Sequence, residues 1–308
     1  METAQMIWLL VKQIAQMFVF ALMGFFLFKK SLITKEGSKT IGNILIYFAL
    51  PAVIVNGFLV ERTEERMIGV LWSGVAGAVL LLVSILISRL FFKKDPVAAF
   101  AGSFSNPGFF GIPLILASVG QRAVFYAACF IAFLNIGQWT YGVSILTGQP
   151  LLGGFKLKKL IRTPFIIATA AGLICFFTGI RLPSIVTGCI TSVAALNTPL
   201  AMFTVGIYLA QTDILGMFRR TRLYLLAAVR LLLIPLVSAA LLLLIPARFA
   251  ERKTALLLVA ACPVGSNVAV YAQLHGADYP YAVETVVIST MLSILSIPAV
   301  VWLASLVG

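Results

Sequence analysis

Ten long apolar stretches follow one another along this chain, separated by short polar connections. A transmembrane α-helix needs about 20 mainly apolar residues to cross the hydrocarbon core of a bilayer. We therefore predict an all-α polytopic membrane protein with ten transmembrane helices. The apolar stretches, numbered segments 1 to 10, are Met6–Phe28, Ile41–Val60, Met67–Ser88, Val97–Val119, Ala123–Thr147, Pro164–Ile180, Val186–Ala210, Leu223–Ile245, Ala255–Leu274 and Ala282–Val307.

The composition requires lipid as the solvent of this chain. Hydrophobic residues make up 61% of it and charged residues 11%, whereas a soluble domain carries about 25% charged residues. The net charge of +13 does not indicate a nucleic-acid partner, because the basic residues fall between apolar segments and form no surface with interleaved aromatic residues. We predict a multi-pass protein of the cell membrane.

The orientation in the membrane follows from lysine and arginine, which accumulate in cytoplasmic loops. The loops after segments 1, 3, 5 and 7 contain 14 such residues and the loops on the other side contain 7. We therefore predict that the first set, here named the basic face, is cytoplasmic and that both termini are extracytoplasmic. The 14 residues are Lys29, Lys30, Lys35, Lys39, Arg89, Lys93, Lys94, Lys156, Lys158, Lys159, Arg162, Arg219, Arg220 and Arg222.

The longest connection, residues 148–163, divides the chain into two sets of five segments. We predict a five-helix repeat over 1–147, a cytoplasmic connecting loop over 148–163 and a second repeat over 164–308. Because five is odd, two such repeats must insert with opposite orientation. Prolines Pro51 and Pro199 interrupt segments 2 and 7, and the stretches SFSNPGFFGIP and CPVGSN interrupt segments 4 and 9. Matching interruptions in inverted halves indicate a transporter binding site.

The interruptions in segments 4 and 9 combine helix breakers with neutral hydrogen-bonding side chains. Pro107 lacks an N–H group, so it breaks the helix and creates a positive half-helix end that attracts anions. Asn106 and Asn267 offer N–H donors without a buried charge. We predict a substrate site, although each asparagine has the alternative role of capping its half-helix. The predicted site contains Asn106, Pro107, Gly108, Pro113, Pro263, Ser266 and Asn267.

Four further polar residues are candidates for the substrate path or for coupling, and three of them have a second interpretation. Tyr47 in segment 2 is a candidate for the substrate path, and Asn135, near Gln138 in segment 5, either faces the break or bonds a neighbouring helix. Arg230 either attracts a substrate carboxylate or extends toward the cytoplasmic headgroups. Glu284 either carries a coupling proton or lies at the outer interface.

Four stretches in order resemble the auxin efflux carrier family: NILIYFALPA (43–52), FSNPGFFGIPLI (104–115), PLAMFTVGIYLA (199–210) and CPVGSNVAVYAQLHG (262–276). That family includes bacterial malonate- and malate-type carriers, and the resemblance covers nearly the whole chain. It implies that segments 4 and 9 cross at their breaks. It also implies a scaffold of segments 1, 2, 6 and 7 that dimerises, and a mobile transport domain of segments 3–5 and 8–10. The long loop of the plant exporters is absent, so auxin as substrate is not implied.

The predicted function is secondary transport of a small organic anion, a mono- or dicarboxylate, by elevator-like alternating access. A channel or a transporter-derived sensor that binds an organic anion is the alternative. An enzyme is not predicted, because the segments lack a nucleophile–base set, and neither a metal site nor a cofactor is expected. Whether a proton or sodium ion is coupled to transport is left open by the sequence.

Overall fold

The computed structural model describes residues 3–150, 161–246 and 249–307, and almost all of these residues are helical. Lys156, Lys158, Lys159 and Arg248, which entered the count of basic residues, lie outside the described residues, as does most of the predicted loop 148–163. The chain is therefore a polytopic all-α protein, as its hydropathy predicts.

Seven of the described helices are long and apolar enough to cross a membrane. They correspond to segments 1, 2, 3, 5, 7, 8 and 10, and the remaining three segments consist of shorter helices. Segment 6 is Pro164–Thr178. Segment 4 consists of half-helix 4a, Pro96–Ser103, and half-helix 4b, Pro107–Ser118; segment 9 consists of half-helix 9a, Ala250–Ala261, and half-helix 9b, Asn267–Leu274. The seven long helices are Thr3–Lys29, Lys35–Phe58, Glu64–Phe91, Gln121–Thr147, Ser184–Gln211, Thr221–Leu242 and Tyr279–Val307.

Proline distorts segments 2 and 7 less than predicted. Segment 2 continues through Pro51 and contains a wide π-helical turn, Leu45–Ala49, two residues earlier. The proline lacks the N–H group that would bond the carbonyl four residues back, and the wider turn accommodates this loss. Segment 7 turns at Leu196, before Pro199. Complete breaks therefore occur in segments 4 and 9, whereas segments 2 and 7 contain only local irregularities.

Glycines bring two pairs of helices into close contact. A Cβ atom at Gly206 in segment 7 would collide with the backbone of Ala21 in segment 1, and one at Gly24 would collide with the backbone of Phe203. A Cβ atom at Gly172 in segment 6 would lie 3.0 Å from the Cβ of Phe58 in segment 2. Membrane helices associate by such small-residue packing, because lipid provides no hydrophobic driving force between them.

The helix contacts come in matching pairs. Segment 1 packs along segment 7 and segment 6 along segment 2, whereas segment 3 packs against segment 5 and segment 8 against segment 10. Half-helix 9a contacts segment 5, and half-helix 4a contacts segment 10. These contacts enclose the two breaks within the protein and leave large apolar side chains such as Leu71, Trp72 and Val75 on the outer surface.

Candidate functional site

The two broken segments meet at their breaks. Ser105 and Val264 form an isolated antiparallel bridge. The N–H of Asn106 donates to the carbonyl of Pro263 and the N–H of Gly265 donates to the carbonyl of Phe104, both at 2.9 Å. A Cβ atom at Gly265 would lie 2.7 Å from the carbonyl oxygen of Ser105, so only glycine permits this approach.

Serine hydroxyls satisfy further backbone groups at the crossing. The Ser105 Oγ donates to the carbonyl of Val259 at 2.9 Å, and the N–H of Val264 donates to the Oγ of Ser289 at 3.1 Å. An unpaired backbone group costs several kcal/mol in a bilayer, so irregular backbone requires such internal partners. The breaks are therefore a fully buried and largely hydrogen-bonded arrangement.

The crossing places four half-helix ends together. Half-helices 4b and 9b begin there, and their N-terminal ends carry partial positive charge. Half-helices 4a and 9a end there, and their C-terminal ends carry partial negative charge. An anion is therefore favoured at the start of 4b and 9b, and a cation at the end of 4a and 9a.

Arg230 occupies the position of that cation. Its side chain is 1% exposed and donates to the carbonyl oxygens of Gly102, at 3.1 Å, and Ala260, and to Ser84 Oγ at 3.4 Å. It therefore bonds the C-terminal ends of 4a and 9a at the same time. It does not extend to the headgroups, so that interpretation of Arg230 is wrong; its guanidinium neutralises backbone partial charges in the interior.

A small polar cavity of about 30 Å³ lies at the other side of the crossing. This volume has room for about two water molecules. The lining combines residues of segments 2, 4, 5 and 9 and contains no charged side chain. The lining residues are Leu50, Ser105, Asn106, Pro107, Gly108, Phe109, Ile131, Leu134, Asn135, Gln138, Gly265, Ser266 and Asn267.

The structure brings five of the seven predicted substrate residues to this cavity: Asn106, Pro107, Gly108, Ser266 and Asn267. The other two support the crossing from nearby. Pro263 accepts the bond from the Asn106 N–H. Pro113 lies buried within half-helix 4b, two residues after a π-helical turn.

The two asparagines are not equivalent. Asn106 is 5% exposed and its side chain makes no capping hydrogen bond, so the capping alternative has no support there. The Nδ2 of Asn267 donates to the Oε1 of Gln138 at 2.9 Å, which fixes the orientation of that amide. Asn106 therefore presents its full hydrogen-bonding capacity to the cavity, and Asn267 presents what remains after its bond to Gln138.

The remaining candidates lie in different surroundings. Asn135 lines the cavity and donates to the carbonyl of Ile131 at 2.8 Å. Tyr47 does not line it, and its side chain is 59% exposed. Glu284 is buried and accepts from Arg220 at 2.8 Å. Because Arg220 belongs to the basic face, Glu284 lies near that face and not at the outer interface.

Asn197 is a residue that the sequence reasoning missed. It is 1% exposed, it begins the second part of segment 7, and its Nδ2 donates to the carbonyl of Gly108 at 2.8 Å. Its only sequence signal is a polar residue two positions before Pro199 in an apolar segment. It connects segment 7 to the start of half-helix 4b.

Within the described residues, no group of three or more His, Cys, Asp or Glu side chains is arranged to hold a metal ion. The cavity lining supplies neutral amides, hydroxyls and helix ends. This set recognises an acceptor-rich solute, and its positive helix ends favour one with negative charge.

Comparison with known proteins gives two matches. The model of a family described as "Membrane transport protein" matches residues 9–151 and 150–302. A Rhizobium meliloti (strain 1021) protein named "Putative malonate transporter" is 25% identical over 286 residues, which is 87% of this chain and 87% of that protein.

Proposed function

This chain belongs to the membrane transport protein family, and from that premise we propose that it is a secondary transporter that carries a small organic anion across the cell membrane. The resemblance to the auxin efflux carriers is thereby confirmed. The observation that carries the proposal is the cavity at the crossing, where the unbonded Asn106 side chain lies beside the positive ends of half-helices 4b and 9b.

The substrate class follows from the chemistry of the lining. Neutral amide and hydroxyl donors hold a carboxylate without a buried lysine, whose desolvation in the membrane is costly. The name of the Rhizobium meliloti relative refers to malonate. We therefore propose a mono- or dicarboxylate, with malonate as the first compound to test.

Alternating access is the proposed mode of transport. The cavity of about 30 Å³ has room for about two water molecules, and alternating access would widen it to admit a dicarboxylate. We propose that segments 3–5 and 8–10 move as a transport domain against a scaffold of segments 1, 2, 6 and 7, in an elevator-like manner. The tight glycine contacts between segments 1 and 7 and between segments 6 and 2 support this division.

The matching helix contacts also support two inverted repeats. Replacing each segment by its equivalent in the other half turns one contact of each pair into the other contact. The three pairs of contacts are 1 with 7 and 6 with 2, 3 with 5 and 8 with 10, and 9a with 5 and 4a with 10. The two stretches matched to the family meet at residue 150, beside the proposed junction. We propose ten crossings, a cytoplasmic basic face and a homodimer formed through the scaffold.

Counterflow in proteoliposomes tests this function. Vesicles loaded with unlabelled malonate should accumulate labelled malonate from outside, because a carrier exchanges substrate across the membrane. Asn106→Ala should lower the accumulation, whereas Asn43→Ala, at an exposed asparagine outside the cavity, should not. Flux without counterflow would identify a channel, and thermal stabilisation by malonate without flux would identify a sensor.

The same vesicles determine the coupling. An imposed proton gradient, sodium gradient or membrane potential is added one at a time while the uptake of labelled malonate is measured. A negatively charged substrate alone responds to the potential by about 2.3 kcal/mol per charge per 100 mV. Accumulation that follows only the proton or only the sodium gradient would identify the coupling ion.

A further inference from the structure

Half-helix 4a is held at its outer end, which here means the end remote from the crossing, by a cluster of three residues on the basic face. Asp95, the residue before 4a, accepts from the guanidinium of Arg222 at the start of segment 8. The Asp95 Oδ2 also accepts from the hydroxyl of Tyr281 near the start of segment 10, at 3.4 Å. The Arg222 guanidinium carbon lies 4.5 Å from the centre of the Tyr281 ring.

Half-helix 9a has a corresponding cluster at its outer end, on the opposite face. Arg252, the third residue of 9a, donates to the Oε1 of Glu65 at 3.0 Å and to the backbone carbonyl of Glu65 at 3.2 Å. The Arg252 guanidinium carbon lies 4.9 Å from the centre of the Tyr126 ring, near the start of segment 5. A cation above an aromatic face is attracted by the ring quadrupole.

The two clusters have a similar composition with the charges exchanged, although Asp95 precedes 4a and Arg252 is the third residue of 9a. Glu65 and Arg222 are each the second residue of their helices, in segments 3 and 8. The outer end of 4a carries the acid and the outer end of 9a carries the base. In both clusters the arginine guanidinium lies over a tyrosine ring, that of Tyr281 in segment 10 or that of Tyr126 in segment 5, and the Tyr281 hydroxyl also bonds Asp95.

Two of the three side chains in the cluster at 9a are buried. The side chain of Arg252 is only 7% exposed and Tyr126 is 7% exposed, whereas the side chain of Glu65 is 76% exposed. A Cβ atom at Gly69, one turn after Glu65, would lie 2.9 Å from both the Arg252 guanidinium carbon and the Tyr126 ring. Gly69 therefore makes the space in which the guanidinium and the ring pack.

Each cluster also joins the two halves of the chain. Asp95 belongs to the first half and is held by Arg222 and Tyr281 of the second, whereas Arg252 belongs to the second half and is held by Glu65 and Tyr126 of the first. All of them lie in segments 3–5 and 8–10. At their inner ends, 4a and 9a share Arg230.

We propose that these two clusters are positioning devices, named the 4a anchor (Asp95, Arg222, Tyr281) and the 9a anchor (Glu65, Arg252, Tyr126). Each anchor fixes the outer end of half-helix 4a or 9a to segments of the other half of the chain, so that the crossing moves as one rigid unit. This inference rests on the proposed function for its transport consequence, whereas its structural content does not depend on any substrate.

The experiment uses Cys262, which follows half-helix 9a directly and is 0% exposed. The other three cysteines are replaced by alanine, and the rate of Cys262 labelling by N-ethylmaleimide is measured on the full chain in proteoliposomes. Glu65→Arg leaves Arg252 beside a like charge, so the labelling rate should rise about tenfold through local opening of 9a. Glu64→Arg, at the neighbouring and likewise exposed position, is the matched control and should leave the rate unchanged.

The decisive variant is the exchange Glu65→Arg with Arg252→Glu, which gives the 9a anchor the polarity of the 4a anchor. It should return the labelling rate to within about threefold of the parent, and malonate counterflow should recover with it. If Glu65→Arg yields little folded protein, the milder Glu65→Gln must still raise labelling. No recovery in the exchange variant, or equal labelling in Glu64→Arg and Glu65→Arg, would overturn the inference.

The same measurement separates the two proposals. A parent protein that exchanges no carboxylate, but shows the expected labelling pattern, would contradict the transport function and keep the anchors. A parent that transports malonate normally while the exchange variant labels as fast as Glu65→Arg would keep the function and contradict the anchors.

Discussion

The breaks in segments 4 and 9 share their main-chain pairing and differ in the roles of their side chains. Each break pairs with the other through main-chain hydrogen bonds, and each is followed by a half-helix that starts at the cavity. Yet Asn106 makes no capping bond, whereas Asn267 is held by Gln138. Asn106, one residue after the bridged Ser105, and Asn267, three residues after the bridged Val264, therefore divide the work: Asn106 is free for a ligand and Asn267 is oriented in advance.

The largest effect is expected from Arg230, which both breaks share. Arg230→Met removes the charged donor from the carbonyls of Gly102 and Ala260, and charged hydrogen bonds contribute more than neutral ones. Initial malonate uptake should fall about 100-fold, which corresponds to roughly 2.7 kcal/mol. The control Arg219→Met, at an exposed residue, should retain uptake. Normal transport by Arg230→Met would show that the two breaks do not need a common clamp.

The second prediction compares a glycine in each break. Gly265→Ala places a Cβ atom 2.7 Å from the backbone oxygen of Ser105, whereas Gly108→Ala meets the flexible end of Leu50 at 3.0 Å. Gly265→Ala should lower stability by about 2 kcal/mol, because backbone cannot move aside. Gly108→Ala should cost less than about 1 kcal/mol. Thermal midpoints of the two purified variants measure the difference, and equal midpoints would contradict the backbone contact.

The third prediction separates the two asparagines. Asn106→Ala should weaken the apparent affinity for malonate about tenfold, a loss of about 1.4 kcal/mol, while the thermal midpoint stays unchanged. Asn267→Ala should weaken both affinity and stability, because the buried Oε1 of Gln138 loses its donor at a cost of about 1 kcal/mol.

The matched control for this pair is Asn267→Ala with Gln138→Leu. It should recover the thermal midpoint without recovering affinity, since replacing both partners by apolar groups is nearly neutral for stability. If Asn106→Ala and Asn267→Ala lower the midpoint equally, the difference between the two breaks is wrong.

The smallest effect is expected at Tyr47. Its side chain is 59% exposed and does not line the cavity, and surface substitutions usually change stability by less than about 0.5 kcal/mol. Tyr47→Phe should therefore leave the uptake rate of malonate and the apparent affinity for malonate within about twofold of the parent. A larger loss of affinity would restore the predicted substrate path along segment 2.

The breaks could be located from the sequence because proline and glycine act locally. Pro107 and Gly265 carry their structural consequence in their own residue type, and so do Asn106 and Asn267 as neutral donors. The headgroup interpretation of Arg230 failed because its partners are backbone carbonyls, which every residue possesses and no residue type signals. The position of Glu284 was misjudged although the predicted topology already places the connection between segments 9 and 10 on the basic face, where the bond to Arg220 locates it.

The role of Asn197 and the two anchors required three-dimensional information for the same reason. The Asn197 amide bonds a carbonyl in another segment, and a lone asparagine before Pro199 is also typical of a simple kink. The seven long helices were predicted well, because hydropathy is averaged over a whole segment. The shorter helices of segments 4, 6 and 9 were predicted as apolar stretches, but their lengths depend on where the chain breaks or ends.

The glycine contact between segments 1 and 7 has a consequence for biosynthesis. Gly24 and Gly206 pack backbone against backbone, so segment 1 has no native partner along this face until segment 7 has been made. About 150 residues separate the two helices, which is roughly ten seconds or more of synthesis. During that interval the glycine face of segment 1 is exposed to lipid or to the insertion machinery. The order of translation therefore makes the closing of this contact a late step, in which the second half of the protein completes the first.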